Sequence, residues 1–264
     1  MTPHIPPDSP DFPGDPSPQP PFGAPDALRS IALWSLGLPH LAAWVLGVRA
    51  ASGIVDLKRH DRWLKLMARS VTTLAGIRVE TLGREVLEKD RAYVYVVNHV
   101  NIFDMFVIYQ SIPSYTRSLE EKSHFSWPII GSLITAAGQI PVDRKDRRVT
   151  ARGLMRAAEM LRRGESLTVL PEGARTLDGG VGPFYEGAFR LAIQAGAPVA
   201  PFAMRGGRAI SRRGDFRIRP GSVQVLFAAP VPTAGMKPTD AGELARRCRT
   251  IVIELLQGRR RPGE

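Results

Sequence analysis

A single cysteine, Cys248, in 264 residues excludes an internal disulfide and leaves no cysteine cluster to hold a metal. That scarcity fits a reducing, cytosol-facing location. No Ser or Cys stands in a strained elbow of the G-x-S-x-G kind, so no protein nucleophile presents itself. Acidic charge is also short: the net charge is +11, and residues 1–27 carry four Asp with no Lys or Arg, leaving +15 on the remainder. Such a surface favours polyanions, whether nucleic acid, anionic lipid headgroups or a phosphorylated substrate. No zinc, helix-turn-helix or aromatic RNA motif accompanies the charge, so nucleic acid is not an expected partner.

What the chain does have begins with ten prolines in residues 1–25. This arm lacks helix- and strand-forming runs and is expected to be disordered, with polyproline character. It also lacks the basic start and apolar core of a signal peptide. From Ile31 to Val48, eighteen residues carry no formal charge, between Arg29 and Arg49. A full membrane span wants about 20 apolar residues, and Pro39 interrupts this one. The expectation is therefore a hairpin of two short helices dipping into one leaflet, with Trp34 and Trp44 at the interface. A helix over Asp61–Leu74 joins this anchor to the core.

The chemistry is expected at Val97-Asn98-His99-Val100-Asn101-Ile102-Phe103-Asp104. Ala92 to Val97 is short, β-branched and aromatic, which reads as a buried strand ending at His99. Helical spacing from Phe103 to Ile112 puts Asp104 in a first helical turn, where a carboxylate suits the dipole. The two side chains can meet across that turn. An imidazole held at Nδ1 by a carboxylate keeps Nε2 free to accept a proton from a hydroxyl. With no protein nucleophile in view, the substrate supplies that hydroxyl.

Further strands are predicted over Ile77–Leu82, Gln139–Arg144, Leu167–Leu170, Pro198–Ala203 and Val223–Ala228, with helices between them. Polar groups follow the C-terminal ends of the strands, the edge where α/β sheets bind ligands. The predicted fold class is α/β: a mixed, largely parallel sheet flanked by helices, behind an N-terminal membrane-associated helical hairpin. Its organisation is an arm (1–27), the membrane-associated helices (28–75), a catalytic domain (76–258) and a basic tail (259–264).

Four blocks in order resemble one family. Asn98-His99 with Asp104 is similar to the N-H-x4-D motif of the glycerophospholipid acyltransferases. Gly138-Gln139-Ile140-Pro141-Val142-Asp143-Arg144 is similar to their second block, Pro171-Glu172-Gly173-Ala174-Arg175-Thr176 to their third, and Ala197-Pro198-Val199-Ala200-Pro201-Phe202 to their fourth. The resemblance implies acyl transfer from acyl-CoA or acyl-carrier protein to a lysophospholipid hydroxyl, most typically that of 1-acylglycerol-3-phosphate, at an anionic membrane's cytoplasmic face. That face is expected to belong to a bacterial-type inner membrane. No cofactor or metal is implied. By position, His99 is the expected base and Asp104 its orienting partner. Asn98, Glu172 and Gly173 line the substrate pocket, and Arg175, Lys122 and Arg144 hold the acceptor phosphate. On this reading Asp104→Asn lowers turnover by leaving the wrong imidazole tautomer. Another lysolipid or a lipid-linked amino acid as acceptor stays open, as does a non-catalytic basic membrane adaptor.

Overall fold

The computed structural model describes residues 15, 21–52, 57–143, 145–176 and 179–264. Helices α1 (Ala24–Ser52) and α2 (Leu57–Leu74) come first, then β1 (Ile77–Leu82), β2 (Val94–Val96) and α3 (Asp104–Ser111). Strand β3 (Thr116–Glu121), helix α4 (Ile130–Ala136), strand β4 (Ile140–Val142) and helix α5 (Arg147–Arg162) follow. The chain continues through β5 (Ser166–Val169), α6 (Gly187–Ala195), β6 (Val199–Arg205), α7 (Gly207–Ile210), β7 (Gly221–Phe227) and α8 (Ala241–Leu256).

The seven strands form one sheet in the order β1-β7-β6-β2-β5-β3-β4, parallel at every pairing except β6 with β7. Strand β2 lies at the middle of the seven, between the parallel neighbours β6 and β5, so both of its faces must be apolar. Alternation sorts its neighbourhood cleanly. Val94 and Val96 join the cluster under α5, α6 and α8, while Tyr93, Tyr95 and Val97 join the cluster under α3. Each fully buried side chain here contributes on the order of 2 kcal/mol. Cys248 sits wholly inside the first cluster, where burial pushes its thiol up to about 12.

Two expectations are corrected. The N-terminal apolar segment is one continuous helix running through Pro39, not two short ones. An interior proline costs about 3 kcal/mol, and contacts on both sides of it hold the helix straight through. Ser30 Oγ accepts from Ile218 N at 2.7 Å and Trp34 Nε1 donates to Phe216 O at 2.8 Å. Beyond the proline, His40 Nε2 lies 2.9 Å from Ser70 Oγ, and Leu41, Val45 and Val48 are buried against α2. Thus the hairpin is α1 with α2. The second correction is β3, a strand absent from the sequence reading: Arg117, Glu120 and Glu121 disguise it, yet it occupies a place between β5 and the edge strand β4.

Candidate active site

The C-terminal ends of the co-directional strands deliver the polar groups. Val96 is level with Val169, Thr168 with Ser118, and Leu119 with Ile140, so one row crosses β2, β5, β3 and β4. Three residues past that row, on the first three strands, stand His99, Glu172 and Lys122. The sheet register thereby brings residues distant in sequence to one edge.

At the centre, Asp104 opens α3 and is 1% exposed. Its Oδ2 lies 2.7 Å from His99 Nδ1 and accepts from Val100 N at 2.7 Å and Asn101 N at 3.0 Å. One carboxylate oxygen therefore fixes both the loop and the imidazole. With two backbone N–H groups already aimed at it, that oxygen is an acceptor, so His99 donates from Nδ1 and carries its free lone pair on Nε2.

His99 and Arg175 both line a cavity of about 510 Å³. Its apolar wall comes from α1 and α2 (Leu33, Leu41, Leu64, Met67, Val71) and from α3 and α4 (Met105, Phe106, Ile130, Leu133). Such a volume lies within the ~300–1,000 Å³ common for small-ligand pockets. Arg175 is the only Arg or Lys among the described lining residues, and its guanidinium has no hydrogen-bonding or ionic partner among them.

Glu172, expected in the acceptor pocket, instead lies behind His99. It is 7% exposed; Oε1 accepts from His99 N at 2.9 Å and Oε2 from Gly182 N at 2.7 Å. Burial pushes its carboxyl up to about 8 against the pull of those two donors. The histidine's backbone is thus held from below by a residue on the neighbouring strand's loop. Gly173, at φ +74°, turns the chain after Glu172, a conformation that a Cβ would strain. It donates to Leu170 O at 3.0 Å, and the described cavity lining does not include it.

Asn98 is corrected in the same way. It is 1% exposed, accepts from Met204 N at 2.9 Å and donates to Met204 O at 3.1 Å, clipping the end of β2 to β6. Lys122 is exposed and faces a separate basic depression with Arg152 and Arg156, away from the cavity that contains His99. Arg144 lies outside the described residues. Sequence reasoning missed His124, Trp127 and Gln139 as part of the cavity lining. His124 Nδ1 is hydrogen-bonded to Glu120, and its ring lies 4.2 Å from that of Trp127. Gln139 accepts from Ser118 Oγ at 2.8 Å and donates to Tyr109 Oη at 2.6 Å. Only the four-residue spacing of Glu120 and His124 offered a signal.

Residues 78–205 match the family model described as Acyltransferase. The 1-acyl-sn-glycerol-3-phosphate acyltransferase alpha of Ovis aries is 33% identical over 226 residues, covering 85% of this chain and 77% of its own. The chain belongs to the glycerophospholipid acyltransferase family. A plant relative, the 1-acyl-sn-glycerol-3-phosphate acyltransferase of Limnanthes alba, is 29% identical over 73% of this acyltransferase and 68% of its own chain. The crystal structure of the 1-acyl-sn-glycerophosphate (LPA) acyltransferase from Thermotoga maritima shares the fold. Its TM-score is 0.77 at 21% identity, over 89% of this acyltransferase and 95% of that chain.

Proposed function

We propose that this enzyme moves a fatty acyl group from an acyl thioester to the free hydroxyl of 1-acylglycerol-3-phosphate, giving phosphatidate. The observation that carries the reading is the Asp104-held imidazole and the unpartnered Arg175 guanidinium on one apolar cavity. The names of the relatives support the choice of acceptor. His99 Nε2 takes the proton of the hydroxyl as its oxygen attacks the thioester carbonyl carbon. The tetrahedral intermediate collapses, the C–S bond breaks, and the departing sulfur takes the proton from the imidazolium. Arg175 pairs with the acceptor phosphate, a match for a guanidinium fork, and the acyl chain lies along the helical wall.

The reaction belongs at a membrane surface. Helix α1 is apolar and long enough to cross a bilayer from Ala24 to Ala50, and only 17% of its most apolar window is buried. Leu28, Ile31, Leu36 and Leu46 are exposed on it, as are Trp63 and Leu66 on α2 and Trp127 before α4. Because α2 packs along α1 and both wall the cavity, the pair lies in the leaflet that supplies the lipid. The basic surface favours an anionic, cytoplasmic leaflet, as in a bacterial inner membrane.

The test offers purified protein a panel of lysolipids with one labelled acyl thioester, alongside His99→Ala. Product from lysophosphatidate, absent in the variant while membrane binding persists, is the expected result. Transfer that survives the substitution refutes the mechanism.

A further inference from the structure

The basic depression that holds Lys122 is separate from the cavity of His99 and measures about 320 Å³ between the Lys122–Ser126 turn, β4 and α5. Its rim carries Lys122, Arg152 and Arg156, and its floor is Ile140, Pro141 and Val149. The two arginines are exposed and stand four residues apart, one turn of α5, so both guanidiniums project from the same side of the helix. None of the three cations has a carboxylate partner among the described residues. Of the nearby acids, Asp143 accepts from Lys145 N, Asp146 caps α5, and Glu120 pairs with His124. Gly153 belongs to the packing, since a Cβ there would lie 2.6 Å from Pro141 O.

Three unpaired cations around a small apolar floor match an anion that also carries a flat, weakly polar group. A purely acidic protein surface would match a flat patch instead, without the concavity. Lys122, on the lining of the depression, follows β3 by as many residues past the shared row as His99 follows β2. Between β2 and β4 there are three interstrand steps, ~14 Å at about 4.8 Å each. A phosphopantetheine arm, comparable to roughly five extended residues or ~16–18 Å, spans that distance. We infer that the Lys122, Arg152 and Arg156 depression binds the 3′-phosphoadenosine diphosphate end of an acyl-CoA donor, whose arm then reaches along the strand ends to His99. This rests on the acyl-transfer reading above and adds to it the donor and its place.

The experiment uses the full chain and the double variant Arg152→Glu/Arg156→Glu, with two donors bearing the same acyl group: acyl-CoA and acyl-pantetheine, which lacks the nucleotide. In the wild type the KM for acyl-CoA lies well below that for acyl-pantetheine. In the variant it rises at least tenfold relative to acyl-pantetheine, while the KM for lysophosphatidate stays within twofold. Calorimetry with adenosine 3′,5′-bisphosphate, independent of turnover, shows binding to the wild type and at least tenfold weaker binding to the variant.

Should the double variant fail to fold, the wild type alone decides. Raising salt from 50 to 500 mM then lifts the KM for acyl-CoA and leaves that for acyl-pantetheine in place. Equal KM values for the two donors in the wild type, no binding of the bisphosphate, or transfer from acyl-carrier protein but not acyl-CoA each overturns the inference. If the bisphosphate binds as expected but no donor yields product, the nucleotide site stands and the acyl-transfer reading falls. If transfer proceeds but the variant and the salt change nothing, the reverse holds.

Discussion

Replacing Asp104 by Asn separates orientation from charge, and the structure says which is lost. The three donors aimed at Oδ2 come from His99 Nδ1, Val100 N and Asn101 N. Turning an amide NH₂ toward them would set donor against donor at buried groups, at ~1–3 kcal/mol each. The Asn therefore keeps its oxygen in that place and preserves the imidazole tautomer, so the tautomer argument made from the sequence is wrong for this site. What disappears is the negative charge beside the imidazolium that forms during transfer. At an effective dielectric constant of about 20 and ~4 Å between charge centres, that attraction is ~4 kcal/mol. His99 keeps 24% of its side chain exposed, and solvent screening cuts the figure toward 2 kcal/mol. Turnover should fall ~30- to 1,000-fold, while stability changes by less than about 2 kcal/mol. Asp104→Ala, in contrast, orphans Val100 N and Asn101 N and should cost ~2–6 kcal/mol of stability as well. The assay pairs initial rates at saturation in both substrates with urea midpoints for wild type and both variants. Turnover of Asp104→Asn within threefold of wild type would refute the charge argument. A midpoint for it as low as that of Asp104→Ala would refute the hydrogen-bond argument.

Three further outcomes are expected. Arg175→Ala should raise the KM for lysophosphatidate more than tenfold and that for the acyl donor far less, since it removes the one described guanidinium of the cavity; equal rises from separate titrations would remove its phosphate role. Glu172 should make the wild type lose stability as pH rises. Its folded-state carboxyl, up near 8, lies above the unfolded value, so the contribution is full below about pH 4.5 and is lost through pH 8. In Glu172→Gln that slope vanishes, and denaturation midpoints from pH 5 to 9 that fall equally in both proteins would contradict it. Asn98→Ala leaves Met204 N and Met204 O without their partner beside the buried end of β2 and should cost ~2–4 kcal/mol in urea denaturation; an unchanged midpoint would show the clip to be dispensable.

Much of the site was legible because it is local. His99 and Asp104 are five residues apart, and a strand followed by a helix leaves their side chains little choice but to meet. The apolar run of β2 likewise declares a strand buried on both faces, since a central parallel strand has no polar side to show. Strand β3 was not legible: its half-buried place, one strand in from the edge, permits Arg117, Glu120 and Glu121, and those residues erase the apolar signature. Pro39 misled for the opposite reason, because a local penalty was outweighed by contacts with Ile218, Phe216 and Ser70 far along the chain.

By itself, then, the order of residues determined the strand-turn-helix that primes the imidazole, the apolar entry helix and the family blocks, all of which depend on neighbours a few positions apart. Only the tertiary structure decided what each motif residue touches. Glu172 reaches His99 across 73 positions and Asn98 reaches Met204 across 106, so both became supports behind the site. Lys122 and Arg175 leave neighbouring strands at the same edge yet open onto different cavities. Which strands lie side by side, and which way a loop turns once past them, depends on how distant apolar faces pack; no short stretch of sequence contains that information.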